Sequence, residues 1–327
     1  MRSIQTGMSL PLASVKPLDG LMRYRAYCLE QTRFALRDGI RQRERSPVTG
    51  GPLVPFGEIE GLSYVRCPES GSLFLASVAD PQTWRELLSS VSMYRHSPEA
   101  FHFGIADLRQ ETVYTPKLGW IEETLRLQGV RRPRLLEVVT LPSDMGSLLR
   151  ASGLFTDVVT VEEMLLASGR APMPDEEPVQ TAVLLESLDR VDDPAALVQA
   201  VVDRLSPGGL LFVTGLVASG FDLATLGIRN RYLYPPDRTN CFSLRGLTAL
   251  LAASRLSLLE VSTPGMLDVQ IVQAHLEQDP RLGVSPFERQ LLESEEDTHR
   301  AFQTFLQQQR LSSFTRIVAR KEGGASA

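Results

Sequence analysis

From Arg134 to the C-terminus, short apolar runs alternate with amphipathic stretches, and this alternation most constrains the fold. Strands are expected at 134–139, 157–161, 180–185, 209–215, 257–262 and 314–319, and helices at 144–152, 193–205, 243–253 and 287–309. Val179 to Leu185 and Leu210 to Val213 are apolar runs without polar alternation, as in strands covered on both faces of a parallel sheet. A strand–helix rhythm of this kind predicts a doubly wound α/β domain over 131–327. Residues 171–178, with three prolines and three acids, read as an exposed loop between two strands.

The first unit of the series is also the first candidate site. Leu135 to Val139 reads as a buried strand, followed by a tight polar loop and a helix opening near Ser143 or Asp144. Such a unit aims backbone N–H groups and a helix N-terminus at the strand's carboxyl end, where nucleotide-like ligands bind. Of the glycines that let a cofactor approach such a loop, only Gly146 is present.

Ahead of this domain the texture is different. Residues 1–20 lack periodicity and suggest a loose arm, and Tyr24 to Arg45 suggest a helix that stops before Ser46-Pro47, giving an N-terminal arm and helix over 1–45. Short strands separated by glycine turns over 46–79 suggest a small β-rich module. It carries an internal echo, Ser46-Pro47-Val48-Thr49-Gly50 and Cys67-Pro68-Glu69-Ser70-Gly71, each with the outline C-P-x-C-G of a zinc-ribbon knuckle. Positions 46, 49 and 70 hold hydroxyls where zinc needs thiolate or imidazole, so no metal is expected. A helical connector over 80–130 starts at Asp80, expected to cap the helix through Trp84 to Val91, and includes a helix at Lys117 to Gln128 whose Leu118, Ile121 and Leu125 face a sheet. His96 and His102, six apart, share no helix face and suit surface or partly buried positions.

Bulk properties exclude several classes. The 34 basic and 39 acidic residues of the 327 give a net charge of −5, which disfavours non-specific binding to nucleic acid or anionic membranes. Three scattered cysteines, Cys28, Cys67 and Cys241, fit a reducing compartment. The N-terminus lacks the pattern of a secretory signal, and no apolar run is long enough to span a bilayer. A cytoplasmic protein is the expectation.

At Leu205-Ser206-Pro207-Gly208-Gly209-Leu210-Leu211 the chain resembles the fifth-strand motif, L-x-P-G-G-x-L, of class I S-adenosylmethionine-dependent methyltransferases. Arg134 to Leu149 is similar to the family's first strand and cofactor loop, Val158 to Glu162 to its second strand ending in an acid, and Ala182 to Pro194 to its fourth strand and E-x-L-E-H-x-x-D-P continuation. Arg238-Thr239-Asn240-Cys241-Phe242-Ser243 resembles H-x-N-x-F-S/T, and Thr263 to Val269 resembles the T-P-G-x-L-D-V turn of bacterial members with an N-terminal zinc ribbon. The tail, Gln309 to Ser313 with Arg320-Lys321, is similar as well, so the resemblance covers most of 46–321.

The resemblance implies a Rossmann-like, mostly parallel seven-stranded sheet, S-adenosylmethionine as cofactor without a metal, and methyl transfer to a small-molecule or carbohydrate-type acceptor. Residue by residue it places the cofactor along Glu137, Ser143, Asp144, Gly146, Glu162 (or Glu163) and Glu186, with Glu162 accepting from the ribose hydroxyls. Asp189, Arg238 and Tyr232 are the candidate catalytic and acceptor-side residues. Val139 and Leu141 stand where the family has glycines, Pro142 removes an N–H, and Arg190 and Arg238 replace two histidines, so no acid–base histidine is carried over. Each acid also has a plainer use: Glu162 can end a strand at the surface, and Glu186 and Asp189 can favour a helix N-terminus. Likewise Arg229, Arg231, Tyr232, Tyr234 and Arg238 make either a substrate loop for an anionic acceptor or a solvated basic loop. Loss of the loop glycines leaves a second expectation open: a non-catalytic methyltransferase relative acting as a protein partner or regulatory subunit. A nicotinamide-dependent oxidoreductase is disfavoured because G-x-G-x-x-G is absent.

Overall fold

The computed structural model describes residues 11–37, 39–100, 103–141, 143–171 and 177–323. Its centre is a six-stranded sheet of β6 (Arg134–Val138), β7 (Asp157–Val161), β8 (Val179–Leu185), β9 (Leu205–Leu216), β11 (Leu256–Ser262) and β12 (Phe314–Lys321). The spatial order is β11-β12-β9-β8-β6-β7. β7, β6, β8 and β9 run parallel, while β12 is antiparallel to both β9 and β11. The domain is therefore mixed α/β with a mostly parallel central sheet. Six strands are present among the described residues where seven were expected. The stretch between β7 and β8 that includes 172–176 lies partly outside them.

Alternate residues of these strands serve two cores, which is why the sequence shows no polar alternation. Leu136, Ala182, Leu211 and Ile317 pack with Leu197, Val201, Leu247 and Leu251 of the helices Pro194–Arg204 and Leu244–Ala253. Leu135, Val183, Phe212 and Val318 pack with Trp120, Ile121 and Leu125 of Thr115–Leu127 and with Leu149 of Asp144–Ala151. The Trp120 and Phe212 rings meet edge to face at 5.2 Å.

Five strands begin within one residue of the expected position, but β9 begins four residues early. Leu205-Ser206-Pro207-Gly208-Gly209 forms a bulge inside that strand, where the β8–β9 register jumps from Val179↔Leu205 to Thr181↔Leu210. The expected helix 287–309 is two helices, Pro286–Leu292 and Glu296–Gln308, the first opened by a Ser285–Glu288 capping box. A helix at Asp268–Gln278 begins within the expected 263–269 turn and continues over residues where no element was expected.

The expected helix over 24–45 is instead Leu18–Ala35, and Arg41–Gln42 forms β1, paired with β5 (Ser77–Val78). The apolar periodicity misleads because Phe34 and Ile40, which recur at helical spacing, are 63 % and 50 % exposed. Asp80 caps Pro81–Arg95 by accepting from the Gln82 and Thr83 amides. β2 (Val54–Ile59), β3 (Leu62–Arg66) and β4 (Leu73–Leu75) form a sheet completed by β10 (Asn240–Cys241), so the N-terminal strands are sealed by a residue pair from the far side of the chain. In the knuckle echo, Thr49 Oγ1 and the Ser70 amide each lie 3.5 Å from Cys67 Sγ. Burial raises the Cys67 thiol, but bonds from Ser46, Ser70 and Thr49 more than offset it and hold the thiol at about 7. Among the described residues no group of three His, Cys, Asp or Glu could hold a metal.

Candidate active-site cavity

A cavity of about 780 Å³ opens at the carboxyl ends of the parallel strands. The chain leaves β6 toward β7 on one side and β8 toward β9 on the other, so β6 and β8 flank the point where strand order reverses. Ligands of open α/β sheets bind at such a point. The cavity walls include Val138 to Leu141 after β6, Glu163 after β7, Leu185 to Ser187 after β8 and Leu216 at the end of β9.

The loop after β6 is built around Glu137. This carboxylate is 1 % exposed. Its Oε2 accepts from Thr160 Oγ1 at 2.9 Å and its Oε1 from Ser143 Oγ at 3.3 Å, while Arg150 lies 3.6 Å away. Burial raises its pKa, and the hydroxyls and Arg150 oppose the rise. Ser143 caps the helix Asp144–Ala151 by accepting from the Gly146 amide at 3.1 Å. Gly146 answers a packing need: a Cβ there would meet both Glu137 carboxylate oxygens at 2.4 Å. Ser143, Asp144 and Glu137 reach the cavity wall, and Gly146 does not. Val139 and Leu141 also line it, with side chains where a glycine loop would expose backbone. Pro142 lies outside the described residues.

At the end of β7 the two neighbouring acids part. Glu162 turns outward, its two oxygens accepting from Arg85 Nε at 2.9 and 2.7 Å, and it is not among the cavity-lining residues. Glu163 turns inward and is 1 % exposed. Its Oε1 accepts from Thr140 Oγ1, while Oε2 is buried with no hydrogen-bond partner among the described residues. Burial raises its pKa.

The end of β8 carries the densest charge network. Glu186 holds a left-handed backbone, φ 66°, uncommon for a residue with a side chain. Its oxygens accept from Lys117 Nζ at 3.3 Å and Arg238 Nη2 at 3.1 Å. Burial pushes the carboxyl up, but these cations with Arg190 and Arg95 pull it well below the usual range. Asp189 is 2 % exposed and outside the cavity lining. It accepts from the Leu216 amide at 3.3 Å and pairs with Arg238 at 3.2 Å. Burial raises Asp189 to about 7 against the pull of Arg238. Arg238 is thus clamped between two acids and faces the cavity. Asp237 accepts from Arg95, from Tyr24 Oη at 3.2 Å and from Tyr234 Oη at 3.4 Å.

The opposite wall gathers the two C-terminal motifs. Asp268 accepts from Ser312 Oγ and the Ser313 amide at 2.6 Å each, and Asp222 accepts from Ser313 Oγ and from Asn230 Nδ2 at 3.1 Å. Burial and the neighbouring Asp268 raise Asp222 to about 6. Tyr232 lines the cavity with Lys16 Nζ 3.7 Å from its ring centroid. Arg229 and Arg231, expected in the same loop, are not among the lining residues.

Several lining residues had no signal in the sequence. His96 is exposed, as expected of a surface or partly buried residue, and also lines the cavity, where desolvation and Arg95 lower its pKa. His102 lies outside the described residues. Lys16, Arg95, Arg316 and the pair Arg109 and Lys117 converge from four separate segments. None sits in a motif; only burial could have singled out Arg316, a charge inside an apolar strand pattern.

No protein-family model matches the chain, and no curated protein matches it. Among solved structures, it is similar to the 1,6-didemethyltoxoflavin-N1-methyltransferase of Burkholderia thailandensis with bound 1,6-didemethyltoxoflavin and S-adenosylhomocysteine, at 12 % identity over 82 % of this chain and 99 % of that one, TM-score 0.42. It is also similar to the plantazolicin methyltransferase BpumL in complex with SAH, at 14 % identity over 74 % and 98 % of the two chains, TM-score 0.41. A third neighbour is the [4+2]-cyclase SpnF, at 16 % identity over 61 % and 81 %, TM-score 0.33. These values are too low to assign an activity or a substrate.

Proposed function

We propose that this chain binds S-adenosylmethionine in the cavity and transfers its methyl group to a small-molecule or carbohydrate-type acceptor, with 131–327 as the cofactor-binding unit and 1–45, 46–79 and 80–130 as its cover. The observation that carries the reading is Glu163. A buried carboxylate oxygen without a donor is costly, and Glu163 lines the cavity at the strand end beside the point where strand order reverses. A ribose diol supplies the missing hydroxyl donors. This moves the ribose role from Glu162, which is occupied by Arg85, to its neighbour.

Ser143, Asp144 and Glu186 would flank the methionine end, while Glu137 supports the loop from behind. When bound, the cofactor supplies an electrophilic methyl group on a sulfonium. The chain's own contribution is to orient both reactants and exclude water. Arg238, held by Glu186 and Asp189, sets the charge of the acceptor side without exchanging a proton. Two lining groups can accept a proton near neutrality: His96 through its ring, and Lys16 through Nζ, which burial lowers to about 8.

A second reading, a non-catalytic relative working as a partner or regulatory subunit, draws support from the loop after β6. Val139 and Leu141 replace glycine, and the Glu137 hydrogen bonds are spent inside the protein. Thermal denaturation with S-adenosylmethionine or S-adenosylhomocysteine separates the two. Ligand at 100 times its dissociation constant adds about 2.7 kcal/mol of stability. Glu163→Gln should weaken that binding at least tenfold and Glu162→Gln should not. If neither ligand stabilises the wild-type chain, the enzyme reading fails.

A further inference from the structure

Arg316 stands out among the charged groups of the cavity. It lies on β12, is 6 % exposed and lines the cavity. Its guanidinium sits 5.4 Å from the Trp120 ring centroid, its Nε is buried without a hydrogen-bond partner, and it forms no ion pair among the described residues. Glu260 is the acid closest in influence, but its carboxyl is already engaged by Trp120 Nε1 and Ser262 Oγ at 3.2 Å each. Burial lowers Arg316 to about 10, the direction expected of a cation short of a counter-ion. A buried guanidinium in that state costs stability unless something pairs with it.

Two further cations share this end of the cavity. Lys117 is 6 % exposed, and both Arg109 and Arg316 lie near enough to depress it. Arg109, 5.6 Å from the Tyr114 ring centroid, also has a buried Nε without a partner among the described residues. Its segment leads into a wide helical turn at Gln110–Tyr114 of the type often found at functional sites. The acids here are Glu186, shared by Lys117 and Arg238, the engaged Glu260, and Glu111 on the wall. Aromatic rings accompany the cations on the wall, Tyr114 beside Arg109 and the Phe314 ring centroid 5.4 Å from Lys117 Nζ.

We propose that Arg316, Arg109 and Lys117 form an anion-binding subsite for the acceptor, which carries a carboxylate or phosphate group on an apolar or aromatic body. The site offers one guanidinium held over an indole, a fork suited to two acceptor oxygens. This deepens the methyl-transfer reading and rests on it for the word acceptor, although the subsite stands on its own geometry.

The test titrates full-length protein at low ionic strength with benzoate, phenyl phosphate and neutral benzamide, each with and without S-adenosylhomocysteine. Benzoate or phenyl phosphate should raise the melting temperature and benzamide should not; the better of the two identifies the anion. Arg316→Met and Arg109→Met should each weaken anion binding at least tenfold. Ligand-free Arg316→Met should melt no lower than wild type, because a structural arginine would be missed and a ligand-facing one would not. Should Arg316→Met fail to fold, that is evidence for a structural arginine and against the subsite, with Arg109→Met as the independent arm. Equal binding of benzamide and benzoate, or undiminished anion binding in Arg109→Met, overturns the proposal. S-adenosylhomocysteine binding is read in the same titration, so loss of the anion site with retained nucleoside binding separates this failure from failure of the methyl-transfer reading.

Discussion

Gly146→Ala should destabilise the protein although it places a better helix former in a helix. Alanine is favoured over glycine in a helix interior by about 1 kcal/mol. Here, however, the new Cβ would stand 2.4 Å from both Glu137 carboxylate oxygens, where 3.4 Å is an ordinary contact. Glu137 would have to withdraw by about 1 Å, the order of shift at which a packed interior resists and overpacking costs about 1–3 kcal/mol. The movement also breaks or weakens the bonds from Thr160 at 2.9 Å and Ser143 at 3.3 Å. Losing one charge-assisted bond costs about 1.5–3 kcal/mol. Set against the propensity gain, the net loss is about 1.5–5 kcal/mol, measured as a lower urea midpoint with unchanged slope. In a Glu137→Ala background the obstruction is gone, so the same substitution should stabilise by about 1 kcal/mol. A stabilising Gly146→Ala in the wild-type background would refute the packing argument and return Gly146 to a ligand-approach role.

Gly220→Ala should be more damaging, because its Cβ would lie 2.2 Å from Ser313 Cα, a backbone atom that cannot swing away; loss of soluble folded protein on expression is the expected result. Glu186→Gln should cost about 3–5 kcal/mol, since it strands Lys117 in a buried site and leaves Arg238 with Asp189 alone, and equilibrium unfolding would read it. For pH, Asp189 is raised in the folded state to about 7, so between its unfolded value and 7 the native protein binds the extra proton and stability falls as pH rises. Asp189→Asn should remove up to about 1.4 kcal/mol per pH unit of that decline, read from urea midpoints across the window.

The pattern of apolar runs carried much of the fold. Leu135 and Leu136 serve opposite cores, and only a strand covered on both faces needs two adjacent buried leucines, so periodicity alone located β6 through β8 and β12 closely. Where local pattern had a rival explanation, it misled. Phe34 and Ile40 fit a helical repeat and are exposed, while Leu205 to Gly208, expected to lie ahead of a strand starting at 209, fall in a bulge within β9. Which of two adjacent acids faces the cavity was undecidable from spacing, because the choice depends on Arg85, brought in from the helix Pro81–Arg95.

By itself the sequence determined the strand–helix alternation, the capped helix start at Asp80, a helix opening near Ser143 or Asp144, and the placement of a candidate site at the end of β6. These depend on hydrogen bonds and burial within a few residues of one another. Only the tertiary structure decided that Gly146 makes room for Glu137, that Glu163 and not Glu162 faces inward, and that Arg316, Lys117 and Arg109 meet at one end of the cavity. Gly146 and Glu137 are close in the chain but meet only when the helix folds back on β6. The Arg85–Glu162 and Arg316–Lys117 neighbours are tens to hundreds of residues apart and become neighbours only once the sheet and its covering helices have closed around them.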